Sequence, residues 1–255
     1  MKDTEKRFIK SIQLPIIVVA ILWIIHLFQF SSNGGLGYLG VYPRTVEGLI
    51  GIFTSPFIHG SFGHLFSNSV PLLVAGSMIF FFYPKVALKS IFWIYLITGI
   101  SVWLFARPAF HIGASGVVYG LISFIFWNGI FRRNMKSIVL SLVVTVLYSG
   151  YILGIAPNQE GISWESHLLG GIVGAIVSYV YKVDIEDDEK VIPIVWDDEP
   201  ESYFLPRDIF LMTKEERRLE RLRIIEEQKR LACEQYLEQQ RRRLEGDGNW
   251  TSSIS

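Results

Sequence analysis

The chain has 255 residues, half of them hydrophobic, with a mean hydropathy of +0.35 and no net charge at pH 7. Residues 11–181 carry only seven Lys/Arg and three Asp/Glu, so 38 of the 48 charges lie in the two ends. That excludes an ordinary soluble globule and indicates an integral membrane core with a polar tail. The single cysteine, Cys233, excludes an intramolecular disulfide framework and a cysteine-rich metal site.

The N-terminal segment, residues 1–11, is basic through Lys2, Lys6, Arg7 and Lys10. The apolar run that follows, about 12–30, is too long for a signal-peptide core and shows no small-residue cleavage site, so it reads as a retained first span. A long outer loop, 31–61, comes next. It opens on turn-forming Ser31-Ser32-Asn33-Gly34-Gly35-Leu36-Gly37. Its later part, Leu49-Ile50-Gly51-Ile52-Phe53, is apolar enough to predict an interfacial or partly embedded segment.

Five further apolar runs follow at about 62–83, 90–106, 115–131, 137–155 and 166–182. A spanning helix needs roughly 17–25 residues, so each is long enough or nearly so. The expected fold is all-α: a polytopic six-transmembrane-helix bundle over 12–182. Pro15 and Pro71 fall inside spans and are expected to kink them. Basic residues gather before the first span, at Lys85 and Lys89, at Arg132, Arg133 and Lys136, and at Lys182; the opposite loops hold only Arg44 and Arg107. The positive-inside rule then puts both termini in the cytoplasm, consistent with a multi-pass protein of the cell membrane. Spans two, four and six run from outside to inside.

Beyond the core, residues 183–255 form a polar cytoplasmic tail. Residues 183–208 hold ten acidic and two basic residues with three prolines and read as an extended linker. Residues 214–245, with ten basic and eight acidic residues and few breakers, read as a solvated charged helix.

Chemistry concentrates near the outer ends of the spans. Ser115, in Gly113-Ala114-Ser115-Gly116, starts the fourth span. Small residues are common in membrane helices as packing surfaces, so the motif alone is weak. His167 starts the sixth span, and an ionisable residue there marks an interior or a cavity. Topology gives Ser115 and His167 a similar depth, as a serine nucleophile and its base require. Gly116 and Gly120 on one helix, and Gly170 and Gly174 on the other, offer faces for close crossing. Tyr119, one turn from Ser115, is placed to stack on the imidazole. His64 and Asn68 share a face of the second span and can both donate to an oxyanion, or equally hold helices together. His59 lies at the loop junction before them. His26 and His111 have no comparable partner and read as structural, His111 being close to Ser115 in the chain. Glu165, two residues before His167, points elsewhere on a helix. No metal site is expected, since the spans hold no carboxylate and no His-Glu-x-x-His.

The set of His59, His64 and Asn68, then Gly113-Ala114-Ser115-Gly116-Val117-Val118-Tyr119, then His167, Gly170 and Gly174 resembles the rhomboid family of intramembrane serine proteases over about residues 12–182. The resemblance implies a water-filled cavity open to the outside, with Ser115 as nucleophile and His167 as general base. It implies an oxyanion site from His64, Asn68 and the Ser115 N–H, support of His167 by Tyr119, a turn at Gly113, and a place for His59 beside the site. It implies transmembrane protein substrates within membrane lipid, no cofactor and no nucleic acid. Many rhomboids carry a Trp-Arg pair in the first loop; here that stretch is Leu49-Ile50-Gly51-Ile52, so either Arg44 substitutes or the loop is held differently. Two rival readings remain: a catalytically inactive rhomboid-like protein that binds membrane clients, and a transporter or channel with a polar pore.

Overall fold

A computed structural model of the chain describes residues 2–32, 35–157, 163–189 and 212–247. Its helices are α1 (Lys2–Ser31), α2 (Gly51–Thr54), α3 (Phe62–Phe82), α4 (Ala87–Phe105), α5 (Ser115–Arg132), α6 (Met135–Tyr148), α7 (Trp164–Val180) and α8 (Lys214–Asp247). There is no strand among the described residues, only one antiparallel bridge between Val41 and His111. The chain divides into two compact units, Met1–Ile192 and Pro193–Ser255.

Five helical segments of the first unit are long and apolar enough to cross a membrane. Their outer faces expose Ile17, Ile24, Phe28, Leu142 and Val146. Such faces suit lipid tails, which are as apolar as the side chains themselves. The sixth, α5, is different. Eleven of its eighteen residues are buried, because α3, α4, α6 and α7 all pack around it. Enclosed by protein rather than lipid, it tolerates Gly, Ser, Tyr and Asn along its length. Its eighteen residues are about 27 Å long at 1.5 Å per residue, close to the hydrocarbon thickness. One apolar core, including Ile79, Ile94, Phe124, Ile125 and Val177, fills the half away from Ser115. A second, of Leu22, Leu65, Leu72, Ala114 and Val118, lies against the start of α5.

The described part of the long outer loop is a string of short helical turns. A Cβ on Gly48 would lie 1.9 Å from the Tyr42 carbonyl oxygen, so only glycine lets the loop close on itself there. Its brace is Arg44. The Arg44 N–H donates to the Trp103 carbonyl at 3.0 Å, and its guanidinium donates to the carbonyls of Leu104 and Ala106. The Trp103 indole N–H returns a bond to the Thr45 carbonyl at 2.8 Å. Arg44 pays for this in backbone strain, with φ at 61°. The arginine and tryptophan that fasten this loop therefore come from two segments of chain. Val46, Ile50 and Phe53 stay exposed, giving the loop an apolar outer surface.

The acidic stretch after α7 begins docked, not extended. The Arg132 guanidinium pairs with Glu189 at 2.9 Å, and both side chains are almost wholly buried. Lys136 binds Glu189 and Asp188, and Lys85 binds Asp187. The remainder of the expected linker, 190–208, lies outside the described residues.

In the second unit, α8 opens with a reciprocal cap. The Thr213 hydroxyl accepts from the Glu216 N–H, and the Glu216 carboxylate accepts from the Thr213 N–H at 2.7 Å. Glu238 and Arg242 pair one turn apart at 2.7 Å, the usual support for a solvated helix.

Candidate active site

The loop before α5 sets the position of Ser115. Gly113 has φ +102°, and its N–H donates to the Ser55 carbonyl at 2.9 Å. A Cβ there would sit 2.7 Å from the His64 imidazole and 3.5 Å from Asn68 Nδ2. Glycine is thus required twice, for the backbone angle and for the approach of α3. Ser115 follows as the first residue of α5, where unpaired N–H groups and the helix dipole favour negative charge.

His167 lies in the first turn of α7. Its Nδ1 is 2.8 Å from the Gly154 carbonyl oxygen. A carbonyl only accepts, so Nδ1 carries the proton and the neutral ring keeps Nε2 free to accept. Tyr119 stacks on the ring at 4.2 Å and 8°, and its hydroxyl donates to the Tyr151 carbonyl. A Cβ on Gly154 would meet the Tyr119 hydroxyl at 2.0 Å, so this contact needs glycine too.

The two helices abut. A Cβ on Gly170 would be 2.0 Å from the Gly116 carbonyl oxygen, and one on Gly174 would be 2.1 Å from that of Gly120. A Cβ on Gly116 would be 3.1 Å from the Ser166 carbonyl oxygen. The chain neighbours of Ser115 and His167 are therefore in contact, which puts the two side chains at one depth. Both line a cavity of about 860 Å³, together with His64, Asn68 and Tyr119.

The oxyanion candidates differ in state. Asn68 is buried, and its Nδ2 has no partner. His64 opens α3, where Ser61 caps its N–H. His59 is wholly buried and does not line this cavity; its Nε2 accepts from the Ala114 N–H at 3.4 Å. Burial, helped by the nearby His64, lowers its pKa to about 4, so the ring remains an acceptor. Glu165 pairs with Arg107 at 3.6 Å, and the His167 Nδ1 partner is the Gly154 carbonyl. His26 stacks edge-on against Phe62. Among the described residues no group of three or more His, Cys, Asp or Glu could hold a metal ion.

Two contacts could not be read from residue type and spacing. The carbonyl that orients His167 belongs to Gly154, and a backbone acceptor leaves no mark on residue type. His111 is buried, with Nδ1 at 2.5 Å from the Ser163 hydroxyl, a partner 52 positions away.

Residues 46–183 match the family model described as the Rhomboid domain. The chain is similar to an uncharacterized protein of Mycobacterium bovis and to one of Mycobacterium tuberculosis. Each is 33% identical over 175 residues, covering 64% of this chain and 71% of the relative. An uncharacterized protein of Mycobacterium leprae is 29% identical over 175 residues, covering 64% and 68%.

Proposed function

The chain belongs to the rhomboid family and is an integral membrane protein, and from that premise we propose that it is a serine endopeptidase that cleaves transmembrane proteins near the outer membrane face. The observation that carries this reading is the meeting of Ser115 and His167 in one cavity, beside an Asn68 amide with no partner.

The substrate helix unwinds locally and presents a peptide carbonyl to Ser115. As Oγ bonds to the carbonyl carbon, His167 Nε2 takes its proton. The imidazolium keeps its Nδ1–H on Gly154 and its face on Tyr119. The oxyanion accepts hydrogen bonds from Asn68 Nδ2, His64 and the Ser115 N–H. The C–N bond then breaks, and His167 hands the proton to the leaving amine. Water from the cavity attacks the acyl-enzyme, with His167 again as base, and frees Ser115. Both termini lie in the cytoplasm, and the site faces outward from the cell membrane.

A fluorophosphonate probe and a single-span reporter substrate test the reading on the full chain in detergent. Wild type labels and cleaves; Ser115→Ala does neither while staying folded. A client-binding protein without catalysis would leave wild type unlabelled, and cleavage by Ser115→Ala would sink the assignment outright.

A further inference from the structure

His111 and Ser163 stand four residues before Ser115 and His167 respectively, and their side chains are bonded to each other. His111 is anchored from every side. Its backbone exchanges two hydrogen bonds of 2.9 Å with Val41 in the outer loop. Its Nε2 is 3.0 Å from the Arg107 carbonyl, which only accepts, so Nε2 carries the proton. Nδ1 must then accept from the Ser163 hydroxyl. Burial lowers the His111 pKa, opposed by the Arg107 carbonyl and the Glu165 carboxylate, so this neutral form is the one in place.

Ser163 is the N-cap of α7, yet its hydroxyl caps no backbone N–H. A serine there ordinarily accepts from the second or third N–H of the helix. Instead its proton goes to His111 Nδ1, and its oxygen accepts from the Ser166 hydroxyl at 2.7 Å. The Ser163 carbonyl takes the His167 N–H at 3.4 Å. The start of the helix that bears His167 is thus tied sideways to the loop that leads into Ser115, in place of a local cap.

We propose that His111, acting through Ser163 and Ser166, is a positioning residue that sets His167 against Ser115. The proposal rests on the proteolytic reading above. It makes His111 a determinant of nucleophile activation, although the ring touches neither reacting atom.

The test measures the saturation kinetics of fluorophosphonate labelling at Ser115 in the full chain. His111→Ala lowers the maximal labelling rate about tenfold, or about 1.4 kcal/mol, with the half-saturating probe concentration unchanged. Ser163→Ala does the same, and the double variant is no slower than either single, since both cut one chain of bonds. His111→Asn, whose Oδ1 falls near the Nδ1 position, restores most of the rate, which a general loss of folded protein would not allow. Wild-type rates in His111→Ala or Ser163→Ala, or multiplied effects in the double, overturn the proposal. Should His111→Ala fail to fold, Ser163→Ala and His111→Asn decide it alone. An unlabelled wild type refutes the proteolytic reading and this inference with it; a labelled wild type with indifferent variants refutes only the role of His111.

Discussion

Gly170 and Gly171 are neighbours on α7, and substituting each with alanine should have opposite effects. At Gly170 the added methyl would lie 2.0 Å from the Gly116 carbonyl oxygen, where ordinary contact begins at 3.4 Å. The obstacle is backbone, so no side chain can turn aside, and α7 must draw away from α5 by roughly an ångström. Overpacking of this kind costs about 1–3 kcal/mol. In a protein of this size that lowers the unfolding midpoint by roughly 2–4 °C per kcal/mol. The same displacement separates Ser115 from His167, and misplacement by about 1 Å at a reacting pair costs on the order of 100-fold in rate. At Gly171 nothing lies within 4 Å. There the methyl meets open space, and alanine removes a helix penalty of up to about 1 kcal/mol. Thermal unfolding in detergent and the rate of fluorophosphonate labelling read both effects. Gly170→Ala should unfold earlier and label about 100-fold more slowly. Gly171→Ala should unfold at or above the wild-type midpoint and label normally. A wild-type Gly170→Ala, or equal damage from the two substitutions, would refute the close crossing of α5 and α7.

Asn68→Ala removes a buried amide whose Nδ2 is unpaired, so it should leave the unfolding midpoint unchanged while slowing cleavage about 100-fold; parallel losses in both would mean that the amide only holds the fold. Tyr119→Phe keeps the ring on His167 and should retain most activity, whereas Tyr119→Ala loses a stacking contact of about 1 kcal/mol and should be several-fold slower. Steady-state cleavage rates compare the two. Glu189→Gln leaves Arg132 buried without its counter-charge and should cost about 3 kcal/mol, read as a lower unfolding midpoint. Burial pushes the Glu189 carboxyl up, but Lys136 and Arg132 outweigh it and hold its pKa below the ordinary value of 4.5. Its contribution is therefore present above that value and fades as pH falls through the lowered one, so wild type should lose stability below about pH 4.5 more steeply than the glutamine variant.

Much of the site could be read from residue type and spacing. Gly116, Gly120, Gly170 and Gly174 repeat at one helical turn, and Ser115 and His167 each open a span of the same direction. Those local facts suffice to bring two helices together at one depth. Residue type was silent wherever the partner was distant or was backbone. Gly154 matters through its carbonyl, and Ser163 through a hydroxyl diverted from its usual cap. Arg44 finds Trp103 only after the outer loop has folded onto the end of α4. The run Asp184–Glu189 looked like linker because composition cannot show that Arg132, Lys136 and Lys85 wait at the helix ends to receive it.

The enclosure of α5 has a consequence for counting. Counting only the five longest apolar helices among the described residues gives an odd number, which would leave the two ends of the chain on opposite sides of the membrane. It would also carry the Arg132–Lys136 turn to the same side as the loop before Ser115, against the charge bias of every other turn. A helix wrapped by its own protein does not need to be greasy. Here the most enclosed crossing is the one that opens with Ser115, and including it makes the number even.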